Sequence, residues 1–86
     1  SDEQRDGAAV IYRALLAGRS LLDRGATPAA ASDAMRSMLE QSPVVDSIDY
    51  ATCVDAATLA EPATGPVRLL IACRVGKARL IDNLLL

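Results

Sequence analysis

The sequence contains no histidine, no tryptophan and no phenylalanine, and two tyrosines are the whole aromatic content of its 86 residues. Without histidine the chain has no imidazole base and cannot supply a histidine-containing catalytic triad. Without a set of aromatic rings it has no platform on which nucleic-acid bases or sugars would stack. The core is therefore predicted to be aliphatic, built from Leu, Ile, Val, Ala and Met.

Clustered positive charge is also missing. The nine Lys and Arg residues are scattered along the chain, and the formal net charge is −2. Proteins that bind nucleic acid normally carry a basic patch, because their affinity depends on contacts with phosphates. No GxGxxG or GxxxxGK[ST] motif is present, and Gly76-Lys77 resembles the end of a phosphate loop only superficially. We therefore expect neither nucleic-acid binding nor a phosphate loop of either kind.

Length and hydrophobic pattern indicate one small domain. A chain of 86 residues is long enough for one compact core and too short for two. No run approaches the roughly 20 apolar residues of a membrane span, and no basic-then-apolar leader opens the chain. We therefore expect a cytoplasmic protein without membrane association. A helix cap at residue 1 without an initiator Met, together with the apolar end Leu84-Leu85-Leu86, suggests a domain of a longer protein.

The first half of the chain predicts two helices. The first runs from Ser1 to Arg24, with a capping box of Ser1 and Gln4 at its start and Gly25 as its stop. Its predicted apolar face consists of Ala8, Ile11, Tyr12, Leu15, Leu16 and Leu22. The second helix begins at Thr27-Pro28 and ends at Ser42 before Pro43, with an apolar stripe of Ala31, Met35, Met38 and Leu39. The short linker makes the pair an antiparallel helical hairpin.

Beyond Pro43 the hydrophobic period changes from about 3.6 to 2, which indicates strands. In the first strand, Ile48, Tyr50, Thr52 and Val54 are predicted on one face, and Ser47, Asp49, Ala51 and Cys53 on the other. A short helical turn at 55–59 and a loop at 61–66 follow, then strands over Val67–Val75 and from Lys77 to about Leu84, joined by a hairpin at Gly76. The order α-α-β-β-β predicts an α+β fold, with a two-helix hairpin packed on one face of a three-stranded, mainly antiparallel sheet.

Side chains that could carry chemistry are few. Alternation places Cys53 and Cys73 on opposite sides of the sheet, which disfavours a disulfide and favours two small core residues. Zinc binding is not expected, and neither thiol has a histidine to activate it. The carboxylates Asp46, Asp49 and Asp55 fit solvated positions at the strand better than a general acid–base pair.

The hairpin and its return strand contain the remaining candidates. Arg79 and Asp82 are separated by an odd number of residues, so a regular strand directs them to opposite faces. Asp82-Asn83 is expected to end the strand, with side chains that cap backbone donors. A role at a domain interface is the alternative. The residues alone therefore predict no catalytic, cofactor-binding or metal-binding residue.

Four segments together resemble the pantothenate synthetase (pantoate–β-alanine ligase) family. The most specific is Gly76 to Asn83, in which a hairpin glycine precedes Arg-Leu-Ile-Asp-Asn. The run from Arg68 to Gly76 is similar to the apolar strand of the family, and Val45 to Ala51 is similar to its valine–aspartate–tyrosine strand, although Ser47-Ile48 separates those elements. Ser1 to Arg5 is similar to the start of the family's long helix.

The resemblance implies an ATP-dependent ligase that condenses pantoate with β-alanine through a pantoyl adenylate, using Mg-ATP. In the family this chemistry belongs to a larger, N-terminal Rossmann-like domain and to a Ser-Ser-Arg-Asn loop that precedes the helix. None of those residues lies in this chain. Residues 1–86 would then form the C-terminal lid domain, which closes over the nucleotide site and is inactive alone. The whole enzyme is expected to be a homodimer through the larger domain, and the isolated chain a monomer.

Two other interpretations remain open from the sequence. One is a free-standing α+β module for ligand binding or dimerisation, with the apolar end of the chain as an interface. The other is a protein-interaction domain of a different ligase. A Rossmann-like domain encoded upstream of Ser1 would distinguish the lid from both.

Overall fold

The computed structural model describes residues 1–61 and 66–86, and its elements occur in the predicted order. They are α1 (Asp2–Asp23), α2 (Pro28–Gln41), β1 (Ser47–Asp55), β2 (Val67–Val75) and β3 (Ala78–Leu85). The α+β prediction is confirmed. A turn follows β1 as expected, whereas residues 62–65 of the predicted 61–66 loop lie outside the described residues. No helix in the described ranges is long and apolar enough to cross a membrane.

The two helices begin at the predicted caps. The Ser1 hydroxyl accepts a hydrogen bond from the Gln4 backbone N–H at 3.2 Å, and the Thr27 hydroxyl accepts one from the Ala30 N–H at 3.1 Å. Each cap satisfies a donor that the first helical turn leaves unpaired. After α1, Gly25 adopts a φ of +91°, the left-handed conformation that lets the chain leave the helix.

The sheet is antiparallel in the order β1-β2-β3, so β2 is the central strand. Helix α1 packs against β2 and β3, and α2 packs against β1. We call the helix-covered side the inner face and the other side the outer face. The inner face and the two helices enclose the hydrophobic core. Its largest fully buried side chains are Ile11, Leu15, Met35, Leu39, Leu69, Ile71, Cys73 and Val75.

The predicted apolar face of α1 is wrong in part. Tyr12 is 56% exposed, while Val10 and Ala14 are buried together with Gly7 and Gly18. The face that packs on the sheet contains small residues because the helix approaches the strands closely there. A prediction from hydrophobicity gives little weight to glycine and alanine. The predicted apolar face therefore included the larger Tyr12 and left out the small residues that pack on the sheet.

A β-bulge in β1 changes which of its residues share a face. Ile48 lies opposite Cys73 and Tyr50 lies opposite Ala72, so Asp49 is an extra residue without a partner in β2. After the bulge, Tyr50, Thr52 and Val54 lie on the outer face. The predicted set was wrong because Ile48, before the bulge, packs against the inner core.

Because of the bulge, the prediction that Cys53 and Cys73 lie on opposite faces is wrong. Cys53 lies opposite Leu69, so Cys53 and Cys73 are on the same, inner face and not on opposite faces. They remain free and buried, as predicted. Leu69 and Cys73 are four residues apart on β2, which separates the cysteines by roughly 13 Å along the sheet. Distance along the strand, and not orientation, prevents a disulfide.

The last strand begins and ends one residue later than predicted, at Ala78 and Leu85. Asp82 and Asn83 do not end it, because Asn83 pairs with Leu70, Leu84 with Leu69 and Leu85 with Arg68. The Asp82 carboxylate does accept a hydrogen bond from the Asn83 backbone N–H at 2.8 Å. The ladder continues because β2 supplies a partner for every residue of β3.

Candidate functional site

Three paired charges lie on the outer face, where the hairpin joins β2 to β3. Asp49 Oδ2 accepts a hydrogen bond from Arg79 Nε at 2.6 Å, and Asp49 Oδ1 lies 3.5 Å from Arg74 Nε. Each strand contributes one member: β1 the aspartate, β2 Arg74 and β3 Arg79. We call these three residues the Arg-Asp-Arg cluster.

Backbone geometry explains how the cluster forms. The bulge after Ile48 inserts one residue, which allows the side chain of Asp49 to reach the arginines of the outer face. Arg74 and Arg79 are direct cross-strand partners, two positions on either side of the Gly76-Lys77 turn. Like charges directly opposite each other destabilise a sheet, and the carboxylate between them offsets that repulsion.

The ion pair shifts the pKa of Asp49 and of Arg79. The hydrogen bond from Arg79 lowers the pKa of Asp49, with a further contribution from the charge of Arg74, and together these outweigh the opposing effect of partial burial. The same hydrogen bond raises the pKa of Arg79. The side chains of Arg74 and Arg79 are 55% and 43% exposed, so both guanidinium groups remain accessible. At neutral pH the cluster has a net charge of +1.

The turn beside the cluster is held by a hydrogen bond to Asp46. Gly76 has a φ of +60°, and its backbone N–H donates a hydrogen bond to Asp46 Oδ2 at 2.6 Å. Glycine with positive φ at the first central position of a two-residue hairpin matches a type II′ turn. A Cβ at Gly76 would lie 3.7 Å from Glu3 Oε2, so the first turn of α1 adjoins the hairpin. The start of α1 and the Arg-Asp-Arg cluster are therefore at the same end of the domain.

The other carboxylates that the sequence singled out have separate partners. Asp55 Oδ1 accepts hydrogen bonds from the backbone N–H groups of Ala57 and Thr58 at 2.9 and 3.0 Å, and so it stabilises the turn after β1. Asp46 binds the hairpin, and Asp49 binds the arginines. The three aspartates thus contact three different groups and do not form the acid–base pair considered above.

The thiols are core groups. Burial raises the pKa of Cys53 and of Cys73, and the Ser32 hydroxyl donates a hydrogen bond to Cys53 Sγ at 3.5 Å. A thiol with a raised pKa contains little of the nucleophilic thiolate at neutral pH.

Arg79 and Asp82 lie on opposite faces as predicted, since Arg79 pairs with Arg74 and Asp82 pairs with the inner-face residue Ile71.

A groove of about 410 Å³ runs between α1 and the free edge of β3. Its lining consists of Ala8, Ile11, Arg79, Leu80, Ile81 and Asp82. Arg79 therefore borders both this groove and the cluster. Within residues 1–61 and 66–86, no three His, Cys, Asp or Glu side chains come together as a metal site.

The sequence contained a signal for the cluster that was missed. A two-residue turn at Gly76-Lys77 dictates that Arg74 lies opposite Arg79. The sequence of the hairpin is therefore sufficient to predict this pair. Asp49 could not be placed in the same way, because its position depends on a bulge 30 residues before Arg79.

Comparison with known proteins gives a family match over residues 1–85, to the family described as pantoate-beta-alanine ligase. The chain belongs to the pantoate–β-alanine ligase family. It is 42% identical over 82 residues to the pantothenate synthetase of Mycolicibacterium smegmatis, a match that covers 95% of this chain and 25% of that protein. The pantothenate synthetase of Rhizorhabdus wittichii is 44% identical over 87 residues, covering 98% of this chain and 30% of that protein.

The fold is shared with a solved member of the family. The crystal structure of pantothenate synthetase from Thermus thermophilus superposes with a TM-score of 0.86 at 38% sequence identity, and covers 98% of this chain and 31% of that one. The resemblance inferred from the four segments is thus confirmed. This chain spans about a quarter to a third of the length of the relatives it matches.

Proposed function

We propose that residues 1–86 are the C-terminal lid domain of an ATP-dependent ligase that joins pantoate and β-alanine. The observation that carries this proposal is the family match over residues 1–85. The chain accounts for at most about a third of the matched relatives, which leaves the larger share of such an enzyme for a nucleotide-binding domain.

The proposed reaction has two balanced steps. A carboxylate oxygen of pantoate attacks the α-phosphate of ATP, which forms pantoyl adenylate and releases pyrophosphate. The amine of β-alanine then attacks the acyl carbon, loses a proton, and releases AMP as the amide bond of pantothenate forms. Because an acyl adenylate is susceptible to hydrolysis, closure of a lid would protect it from water.

The side chains of this domain support a covering role and not a catalytic one. The sequence has no histidine, both cysteines are buried, and Asp46, Asp49 and Asp55 are engaged in turns or ion pairs. Within the described ranges no three His, Cys, Asp or Glu side chains come together as a metal site. We infer that the metal enters with the nucleotide and that the catalytic groups lie in the larger domain.

Helix α1 is suited to transmit hinge motion. Its 22 residues span about 33 Å, and it packs against α2, β2 and β3. A helix in contact with most of the domain moves with it as one body. We infer that motion at the start of α1 turns the whole lid, that the isolated chain is a cytoplasmic monomer, and that the homodimer contacts of the whole enzyme lie in the larger domain.

A dimerisation module is the second candidate, because apolar side chains are exposed on β3. Ile81 is 58% exposed and Leu85 is 56% exposed. Sedimentation equilibrium of the 86-residue chain separates the two: a monomer at all concentrations supports the lid, and a concentration-dependent dimer supports the module.

The lid role is tested by the coupling of ATP use to product formation. We compare the full-length parent protein with a version that lacks residues 1–86, and measure AMP and pantothenate released. The lid predicts one AMP per pantothenate in the full-length protein. It predicts slower turnover and excess AMP from hydrolysed adenylate in the truncated protein. Equal rates and tight coupling in both would contradict the proposal.

A further inference from the structure

The Arg-Asp-Arg cluster has more hydrogen-bond donors than its single acceptor group can use. Two guanidinium groups present ten N–H donors, whereas one carboxylate offers about four acceptor positions. Both arginines approach Asp49 most closely through Nε, and both side chains remain about half exposed. Most of the donors therefore face solvent, with an uncompensated charge of +1.

Other charges near the turn do not neutralise this surface. Asp46 accepts the hydrogen bond of the Gly76 backbone N–H and Glu3 belongs to α1, while the arginines lie on the outer face and pair with Asp49. Lys77 is exposed in the turn itself and adds a third cation to the same six-residue segment. Another outer-face arginine, Arg68, donates a hydrogen bond to Asn83 at the opposite end of β2 and β3.

Asp49 also orders the two cations. An exposed arginine normally samples many rotamers, and ordering it on a ligand costs conformational entropy. Here the bond to Asp49 directs Arg79, and the weaker contact directs Arg74, so that neighbouring guanidinium groups are presented together. Planar guanidinium groups bind phosphate oxygens through two parallel hydrogen bonds, which a pair of them can do on adjacent phosphates.

We propose that Arg74 and Arg79 form a binding site for an oligophosphate on the lid. The proposal rests on the proposed function, which supplies the source of the oligophosphate (ATP or the pyrophosphate that the first step releases) and the hinge at the start of α1. The position of the cluster beside the start of α1 supports this, because groups next to a hinge stay close to the junction with the larger domain throughout closure.

Binding is measured first in the 86-residue chain, by titration with inorganic pyrophosphate. The NMR signals of the Arg74 and Arg79 Nε–H groups should shift together and saturate. Arg74→Gln and Arg79→Gln should each weaken binding at least about fivefold, because each removes one charged two-point contact. Arg36→Gln is the matched control, since it removes the same charge from an exposed position on α2 and should leave binding unchanged. Circular dichroism verifies that all variants are folded.

The full-length parent protein then distinguishes the two sources. An increased KM for ATP in Arg74→Gln, with product inhibition by pyrophosphate unchanged, assigns the site to the nucleotide. Weaker product inhibition by pyrophosphate with an unchanged KM for ATP assigns it to the product. Either result supports the site.

Two results would overturn it. One is the absence of saturable pyrophosphate binding by the folded chain, as expected if the arginines only pair with a carboxylate of the larger domain. The other is an equal loss of affinity in the Arg36→Gln control. Failure of the parent protein to make pantothenate would instead overturn the proposed function, and would leave the binding measurement on the isolated chain intact.

Discussion

Asp49 and Arg79 lie on the two edge strands of the sheet, yet Asp49 Oδ2 accepts a hydrogen bond from Arg79 Nε at 2.6 Å above the central strand. The bond links residues 30 positions apart and joins β1 to β3, which do not pair through their backbones. A β-bulge and a tight hairpin are both needed for it. The cluster is therefore a consequence of the complete sheet and forms with it.

Loss of the Asp49 carboxylate should reduce the acid sensitivity of the fold. Arg79 holds the pKa of Asp49 below its ordinary value, so the unfolded chain takes up this proton first as the pH falls. The stabilisation is complete above the pKa of an unfolded aspartate, about 3.9, and is lost as the pH falls through the lowered pKa of the folded state. Urea unfolding between about pH 2.5 and 7 should show a shallower dependence for Asp49→Asn than for the wild type.

The control for that measurement is Asp33→Asn, which removes an exposed carboxylate from α2 without touching the cluster. An unchanged pH dependence in Asp49→Asn would show that its ion pairs do not stabilise the fold.

Gly7 should tolerate alanine less well than Gly18. A Cβ at Gly7 would lie 2.7 Å from Val75 Cγ2, and one at Gly18 would lie 2.9 Å from Met35 Sδ. Valine is stiff about its first side-chain bond, whereas methionine adapts its shape. Overpacking lowers the unfolding free energy by about 1–3 kcal/mol, whereas replacing glycine by alanine inside a helix raises it by about 1 kcal/mol. We expect Gly7→Ala to be destabilised by about 1 kcal/mol or more.

Gly18→Ala should remain within about 1 kcal/mol of the wild type. Chemical unfolding followed by circular dichroism measures both variants. A Gly18→Ala protein that is less stable than Gly7→Ala would contradict the close approach of α1 to Val75.

Gly76 should be required for its backbone conformation and not for lack of space. At φ +60° a Cβ there would have Glu3 Oε2 at 3.7 Å as its nearest contact, an ordinary separation. Left-handed geometry costs a residue with a side chain about 1–2 kcal/mol, and asparagine tolerates it better than alanine. Gly76→Ala should therefore lose about that much unfolding free energy, and Gly76→Asn less. A larger loss in Gly76→Asn than in Gly76→Ala would point to a steric cause.

The two cysteines should react only when the domain opens. Both side chains are buried, and burial raises the pKa of each thiol. Alkylation with iodoacetamide at neutral pH, followed by mass spectrometry, should be much slower for the native chain than for the chain in denaturing urea. Rapid modification of either cysteine in the native chain would contradict its placement in the core.

Local chemistry explains which features were predictable from the sequence. The helix caps at Ser1 and Thr27, the proline at the start of α2 and the glycine turn at Gly76 are determined by neighbouring residues, and all were predicted correctly. Apolar residues alternate without interruption along β2, and Leu69, Ile71, Cys73 and Val75 are all buried on the inner face. These features suffice for the order and type of the five elements.

Features that depend on distant contacts were missed. The bulge at Asp49 reverses the faces of β1, and nothing in its own sequence distinguishes a bulged strand from a regular one. The close packing of Gly7 on Val75 is decided by tertiary approach and not by hydrophobicity. The Arg-Asp-Arg cluster combines both effects, since it needs the bulge and the hairpin at once.

The proposal that this chain is a noncatalytic part of a pantoate–β-alanine ligase is tested most directly by one assay. Pantothenate formation from ATP, pantoate and β-alanine is measured for the 86-residue chain alone and for the full-length protein that contains it. We predict one pantothenate per AMP and pyrophosphate from the full-length protein and none from the chain alone. Pantothenate formed by the isolated chain, or its absence from the full-length reaction, would contradict the assignment.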